Sequence, residues 1–286
     1  MSTSSHFIPL VDGTDIPTFG LAAFRSDHER MIRDTVNQFL TITKDQPVKH
    51  VEISELYGNG AVVLESFHRA GVERSNIYLT YKIWPKLRRG RDIITACTEG
   101  LVLIDAIYPK TYFDLVLIHA PIDVSNKFEQ WSAVELLKEN ELTKSIGVCC
   151  YTEELMVDLM KNCGMQPVVC EAEVTPFGQD QKHVEYCVDS SIVMLVNNVQ
   201  AKQVKFNHPK FNETASSLGL TPLELHIQWA LSKGFAIMLT PRDLQDLNDG
   251  FSLPITLVNK DTLASLDELE EGVKTSVEFK PLKDDN

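Results

Sequence analysis

Phe113-Asp-Leu-Val-Leu-Ile-His-Ala-Pro121 is a short apolar run, and an amphipathic stretch of helical period follows it at about 127–140. A run of this length that contains β-branched residues predicts a buried strand, and the following stretch predicts a helix that packs against it. The same pair of segments recurs before and after this one along the chain. Short apolar strands that alternate with amphipathic helices are typical of parallel βα units.

Eight such units can be placed on the sequence. The predicted strands are Phe19–Ala22, His50–Ser54, Ile77–Ile83, Phe113–Ala120, Ser145–Cys150, Val168–Val174, Ile192–Asn198 and Phe235–Thr240. The predicted helices lie at about 28–41, 61–70, 91–106, 127–140, 152–163, 179–190, 222–232 and 243–250. This alternation favours a closed (β/α)8 TIM barrel, an α/β fold, over an open doubly wound sheet.

Segments outside the repeats complete the predicted fold. Phe7–Pro17 is expected to form an N-terminal β-hairpin around Asp12-Gly13, and Asp261–Glu271 an extra C-terminal helix. Thr152 and Thr221 are expected to begin helices as N-caps. With 286 residues, 43% of them hydrophobic, we expect one barrel domain over 1–286 with a flexible tail at about 274–286.

Composition restricts the partners of the chain. The 27 Lys and Arg residues against 40 Asp and Glu give a formal charge of -13, which disfavours nucleic acid and acidic membrane surfaces as partners. The N-terminus shows no targeting signal and no run is long enough to span a bilayer, so we expect a cytoplasmic protein. The six cysteines show no C-x-x-C spacing, and we therefore expect neither a disulfide scaffold nor a metal site.

Polar groups stand at or just beyond the predicted strand ends, where a barrel of this kind carries its working residues. Those that attract attention are Glu52, Tyr57, Lys82 and His119. Singly, each also fits a structural role, such as a loop cap, a solvated lysine, a core histidine or an ion-pair partner.

Together, the four groups fit a proton donor. A tyrosine titrates at about pH 10, so it delivers a proton readily at neutral pH only if a cation such as Lys82 stabilises its anion. Glu52 would anchor the ammonium group of that lysine. His119 would donate a hydrogen bond to a substrate oxygen beside the Tyr57 hydroxyl, an arrangement suited to carbonyl reduction by hydride.

An ordered series of segments resembles the aldo-keto reductases over most of the chain. These segments are His50-Val-Glu-Ile-Ser-Glu-Leu-Tyr-Gly-Asn59, Leu79-Thr-Tyr-Lys-Ile-Trp84, Phe113-Asp-Leu-Val-Leu-Ile-His-Ala-Pro121, Ser145-Ile-Gly-Val148 and Leu220-Thr-Pro-Leu-Glu-Leu-His-Ile-Gln-Trp-Ala-Leu231. The resemblance implies a catalytic tetrad of Tyr57, Lys82, His119 and Glu52. It also implies NADPH as the hydride donor and a small carbonyl compound as the substrate.

The chain departs from the family where the nicotinamide would bind. The family's tetrad carboxylate is Asp, and here it is Glu52. Cys149-Cys150 replaces a Ser-Asn pair, Cys170-Glu171 replaces Asn-Gln, and Asn197 replaces the stacking Tyr. Lost hydrogen bonds and the lost stacking contact together cost about 3–4 kcal/mol, or a hundredfold or more in affinity. NADPH stays the expected cofactor, and weak or absent binding of NADPH is the alternative that these changes leave open.

The remaining expected contacts are fewer. Arg242 is the best candidate for the 2′-phosphate of the cofactor, and Lys202 and Lys205 can meet the pyrophosphate or simply be solvated. Phe24 and Trp84 are expected to line the substrate pocket, although Trp84 also fits core packing. Cys149 and Cys150 invite a redox or metal role, which would need a local kink because alternate side chains of a strand point in opposite directions.

Three functions therefore compete on the sequence alone. The first is NADPH-dependent reduction of an aldehyde or ketone. The second is a binding, regulatory or structural protein that keeps the fold and has lost the cofactor, and the third is a redox-neutral enzyme that uses Tyr57, Lys82 and Glu171. Either a monomer or a homo-oligomer is consistent with the sequence.

Overall fold

Eight parallel strands close into a barrel in the computed structural model, which describes residues 6–22, 28–85, 89–109, 111–121, 124–197, 207–241, 243–251 and 257–273. The strands that precede the barrel are β1 (Phe7–Pro9) and β2 (Asp15–Pro17). The barrel strands are β3 (Phe19–Ala22), β4 (Lys49–Ser54), β5 (Ile77–Ile83), β6 (Phe113–Ile118), β7 (Thr143–Cys149), β8 (Val169–Glu173), β9 (Val193–Asn197) and β10 (Ala236–Leu239). Strand β10 pairs with β3 and thereby closes the ring, as predicted.

Helices cover the outside of this barrel. They are α1 (Glu29–Ile42), α2 (Gly60–Arg69), α3 (Gly90–Asp105), α4 (Lys127–Glu139), α5 (Glu153–Asn162), α6 (Gln181–Asp189), α7 (Pro209–Leu218), α8 (Pro222–Ser232), α9 (Leu244–Phe251) and α10 (Lys260–Asp267). The predicted caps are confirmed, because the Thr152 and Thr221 hydroxyls accept hydrogen bonds from Leu155 N and Glu224 N at 3.4 and 3.2 Å. None of these helices is long and apolar enough to cross a membrane.

The strands place alternate side chains on opposite faces. On β4, Val51 and Ile53 pack outward against the helices, so that Glu52 and Ser54 point into the barrel. On β8, Cys170 packs outward with the same outer core, whereas Val169 belongs to the separate cluster inside the barrel. Glu171 therefore faces inward.

The N-terminal hairpin covers the amino end of the barrel, as predicted. Strands β1 and β2 pair antiparallel around Gly13, whose φ of 86° suits glycine. Leu10 and Ile16 are buried within the inner cluster of the barrel. The hairpin is therefore part of the core at this end, and the opposite, carboxyl end remains for function.

Two predicted boundaries and one omission are corrected. Helix α7 was not among the predicted helices, although Pro209 is its first residue and Gly219, with φ of 70°, is its cap. The extra C-terminal helix exists but ends at Asp267, and β6 ends at Ile118, although His119 N still donates a backbone hydrogen bond to Ile83 O at 2.9 Å. The predicted flexible tail at about 274–286 lies outside the described residues.

Candidate active site

The tetrad predicted from the sequence converges at the carboxyl end of the barrel. Glu52 and Lys82 extend inward from β4 and β5, Tyr57 lies three residues after β4, and His119 follows β6 directly. Glu52, Lys82 and His119 are buried, whereas Tyr57 is partly exposed. Three buried side chains of the tetrad therefore lie below the partly exposed Tyr57.

Lys82 is held by two carboxylates. Its Nζ lies 2.8 Å from Glu52 Oε1 and 3.0 Å from Glu171 Oε1. Asn197 Nδ2 donates a hydrogen bond of 2.7 Å to the same Glu171 oxygen. Glu171 and Asn197, which were predicted to contact the cofactor, are thus bound to the tetrad from β8 and β9.

The two carboxylates differ in protonation. Burial and the adjacent Glu171 raise the pKa of Glu52 well above its usual range. Burial opposes ionisation of Glu171 too, but Lys82 and Asn197 outweigh it and lower the pKa of Glu171. Neither Glu52 oxygen accepts a well-aligned hydrogen bond within the described residues. Of the two carboxylates, Glu171 is therefore the one that ionises more readily beside Lys82, and Glu52 is the one that keeps a proton more readily.

The Tyr57 ring lies next to the buried Lys82 and His119 side chains. Lys82 Nζ lies 5.8 Å from the centre of the Tyr57 ring, and the His119 ring lies 6.1 Å from it, centre to centre. Burial raises the pKa of Tyr57, and the lowering influence of Lys82 is offset by Glu52 and Glu171. Tyr57 is therefore protonated across the physiological range, but Lys82 does not make it the stronger acid that the sequence led us to expect.

His119 is a neutral imidazole between two aromatic rings. Burial, reinforced by Lys82, lowers the pKa of His119 to about 3. Its ring lies edge-on to Trp84 at 5.2 Å between centres, which places the predicted pocket residue beside the tetrad. A neutral imidazole keeps one N–H group with which it can hydrogen-bond a substrate oxygen.

Ser54 is a site residue that sequence reasoning missed. Its Oγ lies 3.2 Å from His119 Nδ1 and accepts a hydrogen bond from Leu56 N at 3.2 Å. The Ser54 hydroxyl also lies 3.4 Å from Lys82 O, to which it can donate instead, so the N–H group of His119 lies on Nε2 only when the hydroxyl donates to Nδ1. The available signal was its spacing, because Ser54 follows Glu52 by two residues and so shares its face of the strand.

Cys149 and Cys150 meet because the chain bends sharply between them. Cys150 has a φ of 60°, which is the kink that a joint site requires, and the two Sγ atoms lie 3.4 Å apart. Cys149 is buried and burial raises the pKa of its thiol well above its usual range. Cys150 is partly exposed and is the thiol of the pair that a ligand can reach.

The nicotinamide end of a cofactor fits this rim in part. Asn197 is partly exposed, and since its Nδ2 is used by Glu171, its Oδ1 is the end suited to accept from a carboxamide NH2 group. The Cys150 thiol is a weaker donor to the carboxamide oxygen. Four residues predicted at the cofactor and substrate lie outside the described residues, namely Phe24, Lys202, Lys205 and Arg242.

Comparisons with known proteins find relatives along most of the chain. A model of the aldo/keto reductase family matches residues 18–204. Aldose reductase C of Dictyostelium discoideum is 23% identical over 296 residues, covering 93% of this chain and 90% of that protein. A methylglyoxal reductase of Escherichia coli strain K12 is 24% identical over 269 residues, covering 93% and 94%.

Solved structures share the fold. An aldo-keto reductase of Bombyx mori in complex with NADP gives a TM-score of 0.85 at 18% identity, over 98% of this chain and 99% of that one. The aldose reductase from Schistosoma japonicum gives a TM-score of 0.83 at 19% identity, over 100% of both chains. At this identity the likeness establishes the (β/α)8 architecture.

Proposed function

This chain belongs to the aldo/keto reductase family of oxidoreductases, and we propose that it reduces a small aldehyde or ketone to the alcohol with NADPH. The observation that carries the proposal is the convergence of Tyr57, Lys82 and His119 at the carboxyl end of the barrel. These groups come from three separate strand ends. A structural role for any one of them does not require the other two.

Each of the three groups has a part in moving one proton. His119 Nε2–H orients the carbonyl oxygen, provided that Ser54 holds the ring in that tautomer. Tyr57 Oη gives its proton to that oxygen as negative charge develops on it. Lys82 stabilises the resulting tyrosinate, and Glu171 keeps the lysine in place with Asn197 behind it.

A bound NADPH would supply the hydride that adds to the carbonyl carbon. Asn197 and Cys150 would hold its carboxamide, and Arg242, with Lys202 and Lys205, would meet its phosphates. The fully buried Glu171 serves the tetrad in this scheme, so its earlier assignment as a cofactor contact becomes an indirect one, through Asn197.

The protonation states favour one direction of the reaction. Tyr57 is neutral at physiological pH, as a tyrosine with its ordinary pKa of about 10 already is, and burial raises the pKa of Tyr57 further. Reduction needs a tyrosine that can give a proton, whereas alcohol oxidation needs one that has lost it. We therefore expect reduction to dominate, with a rate that changes little between about pH 6 and pH 8.

The direct test is NADPH oxidation by a panel of small carbonyl compounds. The panel includes methylglyoxal, since several relatives are named methylglyoxal reductases, together with an aromatic aldehyde and a cyclic ketone. Carbonyl-dependent oxidation of NADPH by the full chain, faster than that of NADH, is the expected result. Oxidation of neither nucleotide with any panel member would count against the proposal.

The second candidate is a family member that binds ligands without redox chemistry. Its specific support is that Asn197, in the place of the family's stacking tyrosine, is hydrogen-bonded to Glu171. The two candidates differ in one observable, since only the reductase requires the nucleotide. A redox-neutral enzyme would instead turn over a substrate without nucleotide, with Tyr57, Lys82 and Glu171 as its acid and base groups.

A further inference from the structure

A second cluster of reactive side chains lies behind the active site, between the barrel and its helical layer. It comprises Cys170 of β8 with His183 and Cys187 of α6, all of them buried. His183 Nε2 lies 3.4 Å from Cys170 Sγ and 3.9 Å from Cys187 Sγ. The three potential donor atoms all lie within 4.8 Å of one another.

The fold brings these residues together by two periodicities. His183 and Cys187 are four residues apart on α6 and so share one face of the helix. Cys170 faces outward from β8 because it alternates with the inward Val169 and Glu171. The active site and this cluster therefore lie on opposite faces of the same strand.

The contacts of His183 are poor compensation for burying an imidazole. Among the described residues, its Nε2 meets only thiol sulfurs, which are weak hydrogen-bond donors and acceptors. Its Nδ1 is buried without a hydrogen-bond partner in the part of the chain that the structure describes. A metal ion would give Nε2 a stronger partner than the thiols do, whereas Nδ1 would stay buried without one among the described residues.

The donor geometry matches a metal ion. Metal–sulfur and metal–nitrogen bonds of about 2.3 and 2.0 Å put two donors of one ion about 3.5–4 Å apart. The His183 distance to Cys187 Sγ, 3.9 Å, falls within this range, the distance to Cys170 Sγ, 3.4 Å, lies just below it, and the two sulfurs lie within 4.8 Å of each other. Two sulfurs and one imidazole nitrogen form a soft ligand set, which selects thiophilic ions such as Cu(I) and Zn²⁺ over Mg²⁺ and Ca²⁺.

We propose that Cys170, His183 and Cys187 form a three-donor site for a thiophilic d10 metal ion, bound through Cys170 Sγ, Cys187 Sγ and His183 Nε2. The sequence indicates no such site, because Cys170-x12-His183-x3-Cys187 contains no closely spaced cysteine pair. The cysteine spacing led us to expect no metal site, and the experiment below decides between that expectation and this proposal.

Of the two ions, Cu(I) fits the site better. Structural Zn²⁺ takes four protein ligands, and a three-ligand zinc site keeps an open position for water. Cys170, His183 and Cys187 are no more than 2% exposed, so the cluster is closed to solvent. A three-coordinate ion needs neither a fourth side chain nor a bound water.

The first experiment uses the unaltered full chain without oxygen. It is titrated with Cu(I) buffered by a chromophoric chelator and, separately, with Zn²⁺ against an indicator, both natively and by refolding with the ion. One equivalent bound, with X-ray absorption showing two sulfurs and one nitrogen, is the expected result, with Cu(I) bound the more tightly. A sulfur-only shell, or no retained ion by either route, would overturn the proposal.

Matched variants locate the ion. Cys187→Ala and His183→Ala are expected to weaken binding about a hundredfold or more. Cys97→Ala, which removes a buried cysteine of α3 outside the cluster, is expected to bind as the unaltered chain does. Equal affinity in all three variants would place the ion elsewhere, for example at Cys149 and Cys150, and would refute the site.

Discussion

The two ends of the barrel treat buried charge in opposite ways. At the amino end, Asp12 accepts hydrogen bonds from Lys138 at 2.5 Å, from Ser145 at 2.9 Å and from the Thr14 hydroxyl at 2.8 Å. At the carboxyl end, Glu52 and Glu171 share the single ammonium group of Lys82. At the amino end one carboxylate has three partner residues, whereas at the carboxyl end two carboxylates share one cation.

The difference separates a structural ion pair from a chemical site. Each Asp12 oxygen is satisfied, and the network joins the hairpin to α4 and to the start of β7. At the carboxyl end, Glu52 lacks a well-aligned hydrogen bond within the described residues. Burial and the adjacent Glu171 raise the pKa of Glu52. Perturbed and under-satisfied groups concentrate where a protein performs chemistry.

The largest expected effect is the loss of the Tyr57 hydroxyl. Tyr57→Phe removes the proton donor and leaves the Asp12 network at the amino end unchanged. We therefore expect kcat/KM for carbonyl reduction to fall about a thousandfold. Steady-state NADPH oxidation measures the fall. The Tm of the variant is its control and should match that of the unaltered chain, and retained turnover would assign the proton to another group.

The next effect lies at the amino end and concerns stability. Asp12→Ala leaves Lys138, Ser145 and Thr14 without their common acceptor, which should lower the free energy of unfolding by about 1–3 kcal/mol. Urea unfolding measures the loss, and kcat is expected to stay the same. A large fall in kcat with unchanged stability would invert the comparison.

Two buried histidines, His50 and His119, make the free energy of unfolding depend on pH. Burial lowers the pKa of His50, inside the barrel, to about 4, and that of His119 to about 3. Below about pH 6.5 the unfolded chain binds a proton at each histidine while the folded chain does not, so stability falls as the pH falls. Each contributes a slope of about 1.4 kcal/mol per pH unit between about pH 6 and pH 4.

This slope can be measured one histidine at a time. His50→Gln removes one titrating group and can still hydrogen-bond Thr80, which His50 meets at 2.9 Å. Urea unfolding at several pH values should show that the slope for the variant is smaller by the equivalent of about one proton. Identical slopes would show that His50 titrates normally in the folded chain.

The smallest expected effect concerns the tautomer of His119. Ser54→Ala removes the hydroxyl beside Nδ1 and frees the ring to adopt the other tautomer, so kcat/KM should fall about fivefold to tenfold. Ser54→Thr keeps a hydroxyl and should recover part of the loss. A Ser54→Ala enzyme as active as the unaltered chain would remove Ser54 from the site.

Much of the architecture could be predicted from local patterns. The eight barrel strands, the hairpin and the caps at Thr152 and Thr221 all follow from periodicity and turn chemistry within short windows. Helix α7 was missed although Pro209 and Gly219 mark its ends, because its 10 residues are much less apolar than those of α8. The convergence of Tyr57, Lys82 and His119 follows once the strands are parallel.

Pairings between distant segments could not be predicted in this way. The contact of Glu171 with Lys82 joins residues 89 positions apart, and it changes which carboxylate ionises more readily. The cluster of Cys170, His183 and Cys187 depends on which face of β8 meets α6. Both facts depend on strand register and helix rotation, which composition and spacing leave undetermined.

The measurement that tests the central claim most directly is a titration of the full chain with NADPH, followed by calorimetry and by nucleotide fluorescence. The account predicts one site per chain with a Kd of about 1–100 μM, because Asn197 and Cys150 replace only part of the family's nicotinamide contacts. The absence of any saturable signal up to about 1 mM NADPH would contradict a nicotinamide-dependent reductase and would favour a family member without redox chemistry.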